Sequence, residues 1–204
     1  IGFSVRLLFA GVQLAGQLAG FQMGIGIANV FDPVTSSQVS VAYGIFYQTP
    51  SSDYLRFSHD LDFERAAHYI VNYQIMKNRR VFRVEVYRKD YHDLVKYTTL
   101  NAPDPTQYNN NGKGYAQGID IFWRDQRTFS NIDYWVSYSF LDTERDYKDY
   151  PVQAVPTFAS RHNASVVVKY WVGKLSTQFA GTYSFASGRT YYNPNSDGFL
   201  KDKT

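Results

Sequence analysis

The chain has 204 residues, a net charge of +3, no cysteine, and an aromatic complement of 18 Tyr, 15 Phe and 3 Trp. Without cysteine there is no disulfide framework, thiolate metal site or thiol nucleophile. A small positive balance, scattered among Asp and Glu, excludes a nucleic-acid-binding stripe. The abundance of aromatic, Val, Ser, Thr and Gly residues favours strands and turns, as one large β domain or two small ones.

The first segment, Leu7 to Phe31, carries no charge and is long enough to cross a bilayer as a helix. It also contains Gln13, Gln17 and Gln22, and from Phe21 it alternates Phe21, Met23, Ile25 and Ile27 with Gln22, Gly24, Gly26 and Ala28. Period two favours a strand there, with a helix as the other reading. Val39 to Gln48 then places Val39, Val41, Tyr43, Ile45 and Tyr47 on one face and Ser40, Ala42, Gly44, Phe46 and Gln48 on the other. Ala67 to Met76 sets Tyr69, Val71, Tyr73 and Ile75 against His68, Asn72 and Gln74. Val81 to Tyr91 sets Phe82, Val84 and Val86 against Arg83, Glu85 and Lys89.

The pattern continues with Gly118 to Arg124, where Ile119, Ile121 and Trp123 oppose Asp120 and Arg124. In Asn131 to Phe140, Tyr134, Val136, Tyr138 and Phe140 oppose Asp133, Ser137 and Ser139, before the charged run Asp142 to Asp149. Asn163 to Trp171 and Leu175 to Ala186 complete the series, the latter with Phe179, Tyr183 and Phe185 opposite Gln178, Thr182 and Ser184. Connectors take turns as short and long: Asp32–Ser36, Thr49–Ala66, Lys77–Arg80, His92–Lys113, Gln126–Asn131, Thr143–Ser160 and Gly173–Lys174. An antiparallel meander then gathers its short turns at one end and its long loops at the other.

A soluble sandwich also alternates, but its outer face is rich in Lys and Glu. Here the less apolar row mixes Gly, Ala, Ser, Asn and Gln with single charges, which suits a crowded or wet lumen. The apolar row of Tyr, Val, Ile and Phe, with Tyr47, Tyr91, Trp123, Tyr134 and Trp171 towards strand ends, suits a lipid-facing band with interfacial aromatics. The expected fold class is therefore all-β, a transmembrane antiparallel β-barrel, with a soluble sandwich as the other architecture. Arg88 falls on the apolar row and is expected near the rim, where Arg costs little.

"VSVAYGIFYQTP", "YNNNGKGYAQGIDIFWRD", "YWVSYSFLDTERDYKDYP", "PTFASRHNASVVVKYW" and "TYSFASGRTYYNPN" resemble the C-terminal barrel region of TonB-dependent outer-membrane receptors of Bacteroidetes type, over Val39 to Thr204. The resemblance implies a 22-stranded barrel in the bacterial outer membrane, surrounded by lipid and lipopolysaccharide. It further implies TonB-energised uptake of a metal chelate, cobalamin or oligosaccharide, with a surface lipoprotein as a further partner. On this reading residues 1–204 are a fragment of one barrel domain, with Ile1 to Val30 departing from the family's pattern and 1–36 left unassigned, and the plug domain and TonB box through which TonB acts lie outside the chain. A passive porin-type channel and a surface carbohydrate-binding or adhesion domain stand as alternatives.

No catalytic role, cofactor or metal site is expected. His68 and His162 have no nucleophile elbow to serve, and the alternating Asp60, Asp62 and Glu64 lack the glycine an EF-hand turn requires. Candidate ligand-binding residues lie in the expected extracellular loops. The amides of Asn109, Asn110 and Asn111, flanked by Tyr108 and Tyr115, offer hydrogen bonds and flat apolar surface to a sugar or chelate, although Asn and Gly are also ordinary turn residues. Arg189, beside Tyr191 and Tyr192, offers a planar fork for a carboxylate or phosphate. Gln48, Tyr54 and Arg56 leave the membrane where a vestibule is expected.

Overall fold

The computed structural model describes residues 4–8, 22–32, 36–98, 104–192 and 201–203. Its main body is a single nine-stranded antiparallel sheet whose strands pair strictly in chain order. These are β1 (Ser4–Leu8), β2 (Gln22–Asp32), β3 (Ser37–Gln48), β4 (Glu64–Lys77), β5 (Arg80–Tyr97), β6 (Tyr108–Asp125), β7 (Ile132–Asp146), β8 (His162–Val172) and β9 (Thr177–Ala186). Two short strands, β10 (Thr190–Tyr192) and β11 (Lys201–Lys203), pair separately. One four-residue helix, α1 (Ser52–Leu55), sits between β3 and β4, and no helix among the described residues is long and apolar enough to cross a membrane.

The all-β, antiparallel reading is thus correct, and the alternating faces run through the sheet in register. One row joins Val41, Val71, Val86, Ile119 and Phe140; the next joins Val39, Tyr73, Val84, Ile121, Tyr138, Ala164 and Phe185. Among the described residues nothing packs over them. Val71, Val86, Ile119, Ile121, Val168, Phe179 and Tyr183 are all exposed although most belong to the middle of the sheet, and Val71 retains 49% of its surface. A sandwich would bury this row against a second sheet; the only other sheet among the described residues is the two-stranded β10–β11 pair of three residues each. The buried hydrophobic residues Leu94, Val95, Tyr108, Ala116, Ala154 and Ala159 gather instead towards the long-loop end.

Several strands outrun their sequence signal. β5 continues to Tyr97, β6 begins at Tyr108 and β7 ends at Asp146, so "YNNNGKGY" is the first half of β6 and not a loop. Tyr108, Asn109, Asn110, Asn111 and Tyr115 are therefore strand residues, with Tyr97 opposite Tyr108 and Lys96 opposite Asn109. The glycines that read as turn chemistry are there because neighbouring strands need the space: a Cβ on Gly112 would lie 2.4 Å from Leu94 O, and one on Gly118 2.2 Å from Phe140 O.

In β2 the register slips between Gly24 and Ile27: Met23 pairs with Ile45 but Ile27 with Ala42. A bulge in this glycine-rich stretch breaks the two-residue alternation expected over 21–28. Tyr91 and Trp171 also depart from expectation. By register Tyr91 shares its row with Ala66, Gly114 and Arg145, and Trp171 shares the face of Lys169, so both belong to the polar side.

Short turns and long connections do segregate. At one end Asn78 and Arg79 make a two-residue turn with φ of 52° and 61°, joined by the 126–131 turn and by Gly173–Leu175 with Ser176 in the left-handed region. Such positive φ pairs match the twist of antiparallel hairpins. At the other end lie 49–63, 104–107 and 147–161.

Candidate functional site

The polar face is a ladder of small and amide side chains. Across it run Ser40, Asn72, Glu85, Asp120, Ser139 and Asn163 in one row and Gln38, Gln74, Arg83, Phe122, Ser137, Ser165 and Ser184 in the next. Asn72 donates to Glu85 at 3.3 Å, Ser137 and Ser165 share a hydrogen bond at 2.8 Å, and Arg83 stacks over Phe122. Trp135 belongs to this face too, sandwiched between Arg124 at 5.5 Å and Lys169 at 5.1 Å. Stacked cations keep a tryptophan in polar surroundings, which the two-residue alternation alone does not reveal.

Beyond the apolar band, β5, β6 and the long connections build a tyrosine-rich cap. Tyr54 on α1 lies 5.6 Å from Tyr97 and 6.3 Å from Tyr108, and Phe57 stacks on Tyr108 at 6.2 Å. Val95, 1% exposed, anchors the cap: its N–H donates to Glu64 Oε1 at 3.0 Å and its carbonyl accepts from Lys148 N at 2.8 Å. Burial, reinforced by the nearby Asp149 carboxylate, pushes the Tyr97 phenol up to about 12. Burial likewise raises Tyr147 to about 12, with Tyr150 as the next cause. These rings are held neutral and packed.

The structure therefore brings two sequence-predicted residues, Tyr54 and Tyr108, together in the cap. Asn110 is close by, but its amide is already committed: it donates to the carbonyls of Asp62 and Asp93 at 3.1 and 2.8 Å and accepts from Asp62 N at 2.9 Å. It ties the 49–63 connection to the β5–β6 hairpin. Asn109 accepts from Asn111 N at 3.0 Å. Arg56 lies over Phe57, and Gln48 is exposed at the end of β3 opposite Glu64. Arg189 forms a backbone bridge with Ser160, Tyr191 is exposed, and Tyr192 pairs with Lys201 through its backbone.

Tyr115 sits apart from these, on the apolar face of β6, in a polar cluster just above the band. Its hydroxyl reaches Asp142 at 3.3 Å, Gln117 donates to Asp142 at 3.0 Å, and Arg88 bonds Asp90 and Gln117 while stacking over Tyr115. Arg88 is thus fully paired at the edge of the apolar rows.

Sequence reasoning missed Arg145. It stands directly opposite Gly114, which stands opposite Tyr91, and its guanidinium lies 4.3 Å from the Tyr91 ring, with Tyr147 and Phe158 at 5.6 and 5.4 Å. A Cβ on Gly114 would fall 2.9 Å from Arg145 Cγ, so that glycine is the bed on which the arginine lies. The charged run around it gave no hint of an aromatic box, because its three rings come from β5 and two parts of one connection.

No cluster of three or more metal-binding side chains occurs among the described residues. His162 Nδ1 is engaged by the Tyr138 hydroxyl at 2.9 Å. The arrangement offers packed tyrosines, a polar wall and an apolar outer face.

Residues 1–51, a quarter of the 204, match a family model described as bacterial export proteins, family 1. No curated protein matches the chain. The family match overturns the resemblance to TonB-dependent receptors, and with it the uptake of chelate, cobalamin or glycan and the porin and adhesion alternatives.

Proposed function

We propose that this chain is a stretch of membrane-embedded β-wall serving export across a bacterial envelope, without covalent chemistry of its own. The observation that carries the reading is the uncovered apolar side of the sheet: Val41, Val71, Val86, Ile119 and Ile121 remain exposed in mid-sheet while the opposite side is mostly polar, mixing amides and hydroxyls with the charges of Arg83, Glu85 and Asp120. Patches of that extent on soluble monomers are rare and mark contact surfaces. Hydrocarbon is the partner that suits a whole strand face bounded above by Arg88, Asp90 and Asp142 and below by Arg80 and Asp125.

Strands cross hydrocarbon only when every backbone group is paired, since each unpaired one costs several kcal/mol there. In the membrane the nine strands accordingly belong to a closed barrel, with the outer edges of β1 and β9 paired to further strands. On this reading the wall belongs to the bacterial outer membrane, with lipid and lipopolysaccharide around it, because strand-built walls are the barrel type found there. The polar ladder then lines a wet interior and the tyrosine cap stands at the long-loop mouth. The export match over residues 1–51 supports outward traffic.

Reconstitution tests the wall: in phospholipid vesicles the folded protein resists extraction by carbonate and migrates faster on a gel before heating than after. A monodisperse, water-soluble protein of the same fold would refute it. Removing the protein from its cell tests the direction separately. Loss of secreted material is expected, and an unchanged secreted fraction would refute export while leaving the wall intact.

A further inference from the structure

At the short-turn end the polar face opens into a recess of about 470 Å³, lined by Arg79, Arg127, Phe129, Lys169, Trp171 and Gln178 among others. It is rigidly framed. Asp125, 2% exposed, accepts from Arg127 N, Thr128 N, Thr128 Oγ1 and Arg80 Nε, which locks the 126–131 turn. Gln126 N donates to Arg79 O at 3.2 Å and Trp171 N to Asn131 O at 2.8 Å, fastening that turn to both neighbouring hairpins.

The recess is electrostatically unbalanced. Its one carboxylate, Asp133, is already held by Arg124 through two hydrogen bonds at 2.9 and 2.6 Å and by Gln126 at 3.1 Å. Arg79, Arg127 and Lys169 line the same space, and none of them forms an ion pair within 4 Å among the described residues. They come from three elements: the β4–β5 turn, the β6–β7 turn and β8. Cations supplied by three separate elements around one recess suit an extended segment whose several carboxylates meet them together. Trp171 and Phe129, both exposed, offer apolar surface for the methylene stems of such side chains.

We propose that this recess is a docking site for an acidic peptide segment, entering at the short-turn mouth of the polar face. It does not depend on which solvent covers the apolar face. Charge complementarity of this kind governs encounter rate and specificity and weakens with salt.

The test uses the full chain folded in detergent and a fluorescein-labelled hexaglutamate probe, read by anisotropy. Joint substitution Arg79→Gln, Arg127→Gln and Lys169→Gln is expected to weaken binding about tenfold, as three exposed charge pairs of modest strength imply. The remote Lys113→Gln is expected to bind as the parent does. The reversed pair Arg127→Glu and Lys169→Glu is expected to lose hexaglutamate and gain hexalysine, a positive readout that an unfolded variant cannot give. Parent-like binding by the triple variant, an equal loss in Lys113→Gln, or competition by inorganic phosphate at matched charge would overturn the proposal.

Discussion

Replacing Ile121 by Arg separates a lipid-facing row from a merely exposed one. Ile121 lies between Val84 and Tyr138, in the row next to Val41, Val71, Val86 and Ile119, and is 37% exposed. In water an exposed substitution without buried partners shifts stability by about 0.5 kcal/mol or less. In a bilayer an outward Arg at midplane costs about 2–4 kcal/mol, falling to about 0–1 near an interface. Arg88 sets the depth scale: two residues beyond Val86, it is already bonded to Asp90 and Gln117 at the band's edge. Ile121 pairs with Val84, four residues from Arg88, or about 13 Å along the strand. Ile121→Arg is therefore expected to lower stability in vesicles by about 2–4 kcal/mol. The matched substitution Ser139→Arg, on the polar face opposite Asp120, is expected to change it by less than about 1 kcal/mol. Denaturant unfolding in phospholipid vesicles, followed by tryptophan fluorescence, measures both. Equal losses for the two variants would refute the assignment of faces.

Other consequences follow from single contacts. Gly118→Ala, whose new Cβ would meet Phe140 O and the Tyr87 hydroxyl, is expected to cost about 1–3 kcal/mol or more, while Gly181→Ala, with open space around it, stays within about 0.5 kcal/mol in the same unfolding assay. Asn110→Ala removes three hydrogen bonds and is expected to speed limited proteolysis within 49–63 severalfold with little change in global unfolding. The phenols of Tyr97 and Tyr147 are raised above their unfolded value near 10, so the stability they lend the cap is complete below pH 10 and is lost as pH rises through about 12. Tyrosinate absorbance near 295 nm, compared between the parent and Tyr97→Phe, is expected to show a late-titrating component that is smaller in the variant, where Tyr147 alone of the two remains. Its absence would remove the packed cap.

The strands were legible because their two faces meet different surroundings along their whole length, and Val39, Val41, Tyr43 and Ile45 needed no tertiary information to be read as one side. Strand ends were not. Asn109 to Gly114 carries turn-forming residues, yet β5 and β7 pair along it, and glycine is required because Leu94 and Arg145 occupy the volume its side chains would fill. Local propensity yields there to register. The candidate site was half legible. Tyr54 and Tyr108 were singled out for their rings and do meet, but Tyr97 joins them only because β5 pairs with β6, and Arg145 reaches its own ring, Tyr91, only across β6. Asn110 was read as a ligand group because an amide advertises hydrogen bonds, and the fold spends them on its own backbone. The short-turn recess escaped notice because its three cations lie far from one another in sequence and converge only when the hairpin ends dock.

The three tryptophans test the assignment of faces directly. Trp123 shares the apolar row of Phe82 and Val136, whereas Trp135 and Trp171 belong to the polar side. In vesicles containing brominated lipid, a variant retaining Trp123 alone is predicted to be strongly quenched, and one retaining Trp171 alone to be spared by bromine and quenched by aqueous iodide. Equal bromine quenching at both positions, or protection of Trp123 from lipid, would contradict a hydrocarbon-facing sheet.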